Sequence, residues 1–531
     1  MIGPLSVAAP LWRHNRAWTL AWLGATGVVA AATVPGYSST YADAATARAA
    51  LDEARADPAT QFLYGRLGEL GTPAQIYAWE MGTFLTLIAA FMAVLLAVRL
   101  SRALDEDGSL ELLLTTGPQR RDAAWAALIL LGAVAVGLGL VCFTATAAYS
   151  GRIDGVDVAG AATLGLVVVL TFLLVGLVTA VLAMALPTAR AARAAGALAV
   201  ALAIGVRAIA DVGQTPALQW VAPMSLRALA LPFASDRVLW LVPAVIEAAV
   251  LCGVFVRLAT ANELGASIVR LPQRQSARLR IDSPHGLAWR LDRRRALWST
   301  LLIAAGAALF AVLGAGVIDN LRRGRIDGGF LGAQLSGRDP AEAYFAFSGT
   351  IAALVASAVC ITLITQVAAA ERSGLAEHVR AAGATRSALL RAYVGVAALT
   401  SLATLLLCGV ASGLIARAIV SGPDVTRDAF WQAVQQWPAV AVVIGLAALA
   451  VAAAPRISWI AWVPLLVGGG VTLLGKQLQL PSGVVDLSMF GHTSAGLATS
   501  TGVAAQLVLA AVAASAVVAA LAAVTRRDLA A

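Results

Sequence analysis

Two glutamates sit in the same short pattern at two places in the chain. Gly108-x-x-Glu111 is followed by Gly117 and Arg120, and Gly374-x-x-Glu377 by Gly383 and Arg386, so all four residues recur at one offset of 266. A glycine at each end and an acid in the first turn describe a short helix with both ends punctuated. In the first copy Leu110, Leu113 and Leu114 share one helical face, with acids (Glu106 among them) before it and arginines after it. The chemistry open to such an element is adhesion. Its apolar face can anchor in an interface, while its carboxylate meets a basic partner. A single copy would suit anchoring alone; recurrence with the glutamate in step points to docking one partner twice.

Other reactive side chains are sparse. The cysteines Cys142, Cys252, Cys360 and Cys408 each fall in a different apolar block, without metal-ligand spacing, and read as small core residues. The histidines His14, His285, His378 and His492 are equally scattered, so no metal site or nucleophile–base pair is expected. Gly470-x4-Gly475-Lys476-Gln477 approaches a phosphate-binding loop but ends in Gln where a hydroxyl must reach Mg²⁺. Gln334-Leu335-Ser336-Gly337 is a fainter echo of a nucleotide-site signature, in an outer loop. The chain is therefore expected to bind no cofactor. Glu247 is the acid nearest the middle of an apolar block, and Arg207 and Asp211 stand at i and i+4, the spacing of a structural ion pair. Asp43, Asp52, Glu53 and Asp57 read as the solvated face of an outer helix rather than the paired acids of an enzyme.

The elements that carry these residues are set by hydropathy. Sixty per cent of the 531 residues are hydrophobic and 13% are charged, where a soluble chain is nearer half and a quarter. A membrane span needs roughly 20 apolar residues, and twelve blocks of that length can be drawn: 17–35, 79–98, 123–147, 160–186, 191–210, 238–257, 297–318, 344–367, 388–416, 433–453, 457–475 and 503–524. The runs are continuous, which favours helices over a membrane β-barrel. The expected fold is all-α and polytopic. The splits near Pro187 and at Pro455-Arg456 are the least marked. Arg13 and Arg16 precede the first block as in a secretory signal, but its length favours a retained helix.

Orientation follows from arginine. With the N-terminus inside, 24 of the 38 Lys and Arg residues lie on cytoplasmic segments and 14 outside, and nine arginines fall between Arg257 and Arg295. Such an excess sets topology, so both termini are expected in the cytoplasm of a cell-membrane protein. The basic charge then serves the inner leaflet rather than nucleic acid. The chain divides into a first six-helix half (1–259), an arginine-rich cytoplasmic linker (260–296) and a second six-helix half (297–531). Because six is even, the halves insert in parallel, a layout that places a substrate path between them. Leu11-Trp12-Arg13 and Leu287-Ala288-Trp289-Arg290-Leu291 precede the first helix of each half and suit the interface plane. Each half also carries an outer segment after its first helix, about 37–77 and 319–343, with Tyr41–Arg55 reading as a helix in the first.

The segments Glu106-Asp107-Gly108-Ser109-Leu110-Glu111 and Glu371-Arg372-Ser373-Gly374-Leu375-Ala376-Glu377 resemble the repeated acidic–Gly segments of ABC-2-type exporter permeases. The closest likeness is to the fused actinobacterial polyketide-antibiotic (tetronasin-type) exporters. Asp57-Pro58-Ala59, Leu63-Tyr64-Gly65, Ala78-Trp79-Glu80, Arg207-x-x-x-Asp211, Ser283-Pro284-x-Gly286, Leu480-Pro481 and Arg526-Arg527-Asp528 extend the likeness over nearly the whole chain. Asn262-Glu263-Leu264-Gly265 and Gly383-Ala384 depart from it.

The resemblance implies a permease subunit of an ATP-driven exporter. ATP and Mg would then reside on a separate ATPase, two copies of which dock at Glu106, Gly108, Leu110, Glu111, Glu371, Gly374 and Glu377. It implies hydrophobic drugs, antibiotics or lipids as substrates. Trp79, Glu80, Phe84, Phe91, Met92, Phe345 and Phe347 would wall the path, bulky aromatic and Met side chains being suited to apolar ligands. Ordinary helix packing explains the same residues. The alternative is an ion-coupled secondary transporter with the same six-plus-six layout.

Overall fold

Among the described residues, all regular structure is helical. The computed structural model describes residues 3–40, 64–65, 72–213, 215–261, 267–269, 283–322, 335, 339–420, 422, 424–475, 480–493 and 500–527. Among the described residues, twelve helices are long and apolar enough to cross a membrane. The protein is an all-α polytopic membrane protein. In a medium without water each backbone N–H and C=O must be satisfied within its own segment, and only helices and closed barrels achieve that.

The first six helices are α1 (Pro4–Thr40), α2 (Pro73–Arg99), α3 (Arg120–Ala147), α4 (Val158–Ala185), α5 (Ala189–Val212) and α6 (Val242–Ala261). The next six are α7 (Pro284–Arg322), α8 (Pro340–Ile364), α9 (Ala388–Ile419), α10 (Trp437–Ala453), α11 (Val463–Leu474) and α12 (Ser500–Arg526). The chain forms two compact units, Met1–Gln275 and Ser276–Ala531. In the first, α2 and α4 are the most buried spans, and α4 packs against α2, α3, α5 and α6 while α1 lies on α2 and α3. In the second, α10 packs against α8, α9, α11 and α12, and α7 lies on α8 and α9. These six pairings thus recur in each unit.

Small residues allow these contacts. A Cβ on Gly139 would stand 2.7 Å from the Gly165 carbonyl oxygen, and one on Gly165 would stand 2.8 Å from that of Gly139. The backbones of α3 and α4 therefore touch, which only glycine permits.

Pro187 lies in the α4–α5 turn, and the Thr188 hydroxyl caps α5 by accepting from the Ala191 N–H at 3.1 Å. At the second weak split α10 ends at Ala453, and a 3₁₀ turn, Pro455–Trp462, leads into a short α11. A further helix, Val425–Val434, precedes α10. The segments expected to lie flat before the first helix of each half are instead continuous with the spans. α1 runs for 37 residues and α7 for 39. Nothing between Leu11 and the first apolar block breaks a helix, Pro10 lying in the second turn of α1. The outer helix Tyr41–Arg55, with Asp43, Asp52, Glu53 and Asp57, lies outside the described residues, as do 262–266, Lys476-Gln477 and most of 323–338.

Candidate functional site

The α2–α3 connection is two short helices separated by one left-handed glycine. Arg102–Glu106 is followed by Gly108 at φ 77°, then Ser109–Thr115, then Gly117 at φ 107°. The α8–α9 connection repeats this arrangement: Gln366–Arg372, Gly374 at φ 75°, Leu375–Ala381 and Gly383 at φ 92°. No atom lies within 4 Å of a Cβ built on Gly108 or Gly374. The backbone conformation alone therefore demands glycine there. Glu111 and Glu377 each occupy the third helical position after that glycine, and both are exposed.

The first connection is fastened from below. Arg102, buried, donates through one Nη to Asp105 at 2.8 Å and through the other to the Pro187 carbonyl at 2.7 Å. Glu106 accepts from the Ala189 N–H at 2.7 Å, placing a carboxylate at the positive end of α5. Leu110 and Leu113 face inward over a small cavity of about 60 Å³ that Val7, Leu11, Met184 and Phe255 also line. Leu112 points outward, 71% exposed, beside Glu111.

The second connection is fastened differently. One Nη of Arg527 donates to both oxygens of Glu371, at 2.6 and 2.9 Å, and Arg386 donates to the Arg527 carbonyl at 3.2 Å. Its cavity, about 30 Å³, is lined by Val367, Ala376, Val379, Leu389, Leu390 and Val524 among others. At the offset of 266, Leu110 corresponds to Ala376 and Leu113 to Val379, while Ala123 and Ala124 correspond to Leu389 and Leu390. Volume removed from the short helix is restored on the long one, as close packing requires.

Of the acids expected to dock a partner, Glu106 and Glu371 are therefore engaged within their own units, whereas Glu111 and Glu377 face outward. Among the described residues, no group of three or more His, Cys, Asp and Glu could hold a metal ion.

The residues expected along a substrate path differ in exposure within each unit. Trp79 is buried and donates to the Gly65 carbonyl at 2.9 Å; its ring and that of Phe84 pack on Tyr64 at 5.1 and 5.9 Å. Glu80, partly buried, accepts from the Tyr37 hydroxyl at 2.7 Å. Phe91 is 45% exposed and Met92 fully buried, on different faces of α2. Phe345 is buried edge-on to Tyr344, and Phe347 is partly buried in the same cluster with α7 residues. Glu247 is exposed to an intermediate degree on α6, whose neighbours Val245, Ile246 and Val250 are exposed.

Arg207 and Asp211 belong to a larger cluster. Tyr64-Gly65 turns at φ 85°, and a Cβ on Gly65 would stand 3.0 Å from Asp211 Oδ2 and 3.1 Å from both an Arg207 Nη and an Arg227 Nη. Arg227 donates to the Tyr64 carbonyl at 2.6 Å, and Gln219 donates to Asp211 Oδ1 at 3.0 Å. Burial, and then the neighbouring Arg207 charge, lower the Arg227 pKa to about 9, with Asp211 opposing. A carboxylate and two guanidiniums thus clamp a glycine turn.

The chain is similar to a multidrug efflux permease. It is 28% identical over 512 residues to the multidrug efflux system permease protein Rv1217c of Mycobacterium tuberculosis, covering 92% of this chain and 88% of that one. Residues 281–524 match the family model described as multidrug efflux system permease Rv1217c, C-terminal domain. That match spans Glu371, Gly374, Glu377 and Gly383, and ends before Arg527. The alignment with the Rv1217c permease is long enough to take in both glycine-hinged connections.

Arg102, Arg227 and Gln219 were not singled out by spacing. Arg102 has no counterpart at the offset of 266, where Ala368 stands, and Arg227 lies beyond a loop from its partners. Only the Arg207–Asp211 spacing and the tyrosine-glycine pair hinted at the second cluster.

Proposed function

We propose that this chain is the membrane-spanning permease of an ATP-driven exporter of ABC-2 type, closest to the tetronasin-type antibiotic exporters. A separate ATPase carries ATP and Mg and docks, as two copies, against the α2–α3 and α8–α9 connections on the cytoplasmic side of the cell membrane. The observation that carries this reading is the paired geometry: a left-handed glycine at φ 77° and 75°, followed three residues later by an exposed glutamate in each unit. Two equivalent acidic knobs suit two equivalent basic pockets. Similarity to a multidrug efflux permease supports export of hydrophobic drugs, antibiotics or lipids.

The test is co-purification of the ATPase with the Glu111→Lys/Glu377→Lys variant. Reversing two rim charges is expected to lower ATPase occupancy by on the order of tenfold or more, with elution and helicity unchanged. Full occupancy with ATP-stimulated export would overturn the reading.

An ion-coupled carrier is the second reading, favoured by the partly buried Glu80 carboxyl of α2, which accepts from the Tyr37 hydroxyl of α1. It predicts that export stops when the proton gradient is collapsed while ATP is maintained. Continued export under those conditions excludes it.

A further inference from the structure

The N-terminal end of α3 and the C-terminal end of α6 enclose an open groove of roughly 630 Å³ on the same side of the first unit as the α2–α3 connection. Three arginines stand in it: Arg120 and Arg121 from α3 and Arg257 from α6. Arg121 and Arg257 are exposed, and neither makes an ion pair among the described residues. The nearest acid in sequence, Asp122, is spent on the helix cap, where it accepts from the Gln119 N–H at 2.8 Å. Two of the cations occupy the first turn of α3, where the helix dipole is already positive. The site is therefore short of negative charge.

Its walls continue into the membrane. Trp125 lines the groove and is 39% exposed, as suits an indole at headgroup depth. Beyond it, at helical spacing, α3 presents exposed Ile129, Val136 and Leu140, and α6 presents exposed Val254, Val250 and Ile246. Gly253 lies between them, with nothing within 4 Å of where its Cβ would be. The second unit does not repeat this: Ser387 and Arg391 stand at the positions of Arg121 and Trp125.

We propose that this groove binds the headgroup of an anionic phospholipid. The phosphate sits between Arg121 and Arg257, and the acyl chains run along the apolar faces of α3 and α6. Guanidiniums pair with phosphate bidentately, and basic pockets between helices at a membrane surface select anionic lipid. The site is separate from Glu111 and does not depend on the docking reading.

The experiment measures lipid retained by the purified full chain, extracted in mild detergent from vesicles of equal phosphatidylglycerol and phosphatidylethanolamine. The expected result is enrichment of phosphatidylglycerol. Arg121→Gln/Arg257→Gln should lower that enrichment on the order of tenfold, since both guanidiniums that pair with the phosphate are lost. Arg121→Lys/Arg257→Lys should restore much of it, and the exposed pair Arg290→Gln/Arg293→Gln on α7 should leave it unchanged. Unchanged enrichment in the first variant overturns the proposal, as does equal loss in the α7 control. Displacement of the lipid by inorganic phosphate would reassign the groove to a free anion. Loss of a bound ATPase with lipid retained would reassign it to a protein surface.

Discussion

A single Nη of Arg527, at the end of α12, lies 2.6 and 2.9 Å from the two oxygens of Glu371 in the α8–α9 connection. The pair is largely withdrawn from solvent, with side-chain exposures of 9% for Glu371 and 19% for Arg527. It ties the last spanning helix to the second glutamate-bearing loop. The first loop is tied instead to the α4–α5 turn, through Arg102 and Glu106. Equivalent loops thus hang from non-equivalent anchors.

Breaking the Glu371–Arg527 pair should loosen the loop without unfolding the unit. Glu371→Gln and Arg527→Gln are each expected to raise hydrogen exchange over residues 366–381. The double variant should go no further, since partners in one buried pair are coupled by about 0.5–3 kcal/mol. Strictly additive increases would show that the two side chains act independently.

Gly108 and Gly374 should rank substitutions by backbone preference alone, because open space surrounds both. A left-handed backbone costs an L-residue about 1–2 kcal/mol, and Asn tolerates it best. Loop protection is expected to fall in the order Gly, Asn, Ala, Val at both sites. Equal behaviour of Asn and Val would contradict the assigned conformation.

Gly65→Ala should be worse than Gly108→Ala. Both carry positive φ, but at Gly65 the new methyl also meets Asp211 and two guanidiniums at 3.0–3.1 Å. Backbone strain and crowding together are expected to cost about 2–4 kcal/mol, read as a lower melting temperature in detergent. A smaller loss than at Gly108 would refute the clamp.

Arg227→Met should destabilise the first unit by about 1–3 kcal/mol, since the Tyr64 carbonyl loses its donor. Its pH signature has a definite sign. The Arg227 pKa falls on folding from the ordinary arginine range to about 9. The folded state therefore holds this proton less tightly, and the burial penalty is fully present below about 9 and relieved as pH rises from there toward the ordinary arginine range. The difference between wild type and variant should be flat across neutral pH. A slope there, in paired melting curves, would mean that another group is titrating.

The spans were legible because hydropathy is local: a run of apolar residues long enough to cross a bilayer has no structural alternative to a helix there. The glycine-hinged loops were legible for a related reason, since a left-handed position selects glycine wherever it occurs. Gly108 and Gly374 could be matched by offset alone. Less legible was where interfacial segment ends and span begins, because Leu11 and Leu287 continue into α1 and α7 without a breaker.

The sequence by itself determined the all-α membrane class, the twelve apolar blocks of spanning length and the recurrence of a glutamate after Gly108 and Gly374. Only the tertiary structure decided which glutamates are free. Glu106 meets Ala189, and Glu371 meets Arg527, across separations of 83 and 156 residues. Likewise Gly65 joins Arg207 and Arg227 around one turn. Spacing reports which side chains share a helical face. Whether a charge on that face reaches water or a partner depends on which other helix packs there, and that is fixed by the assembled fold.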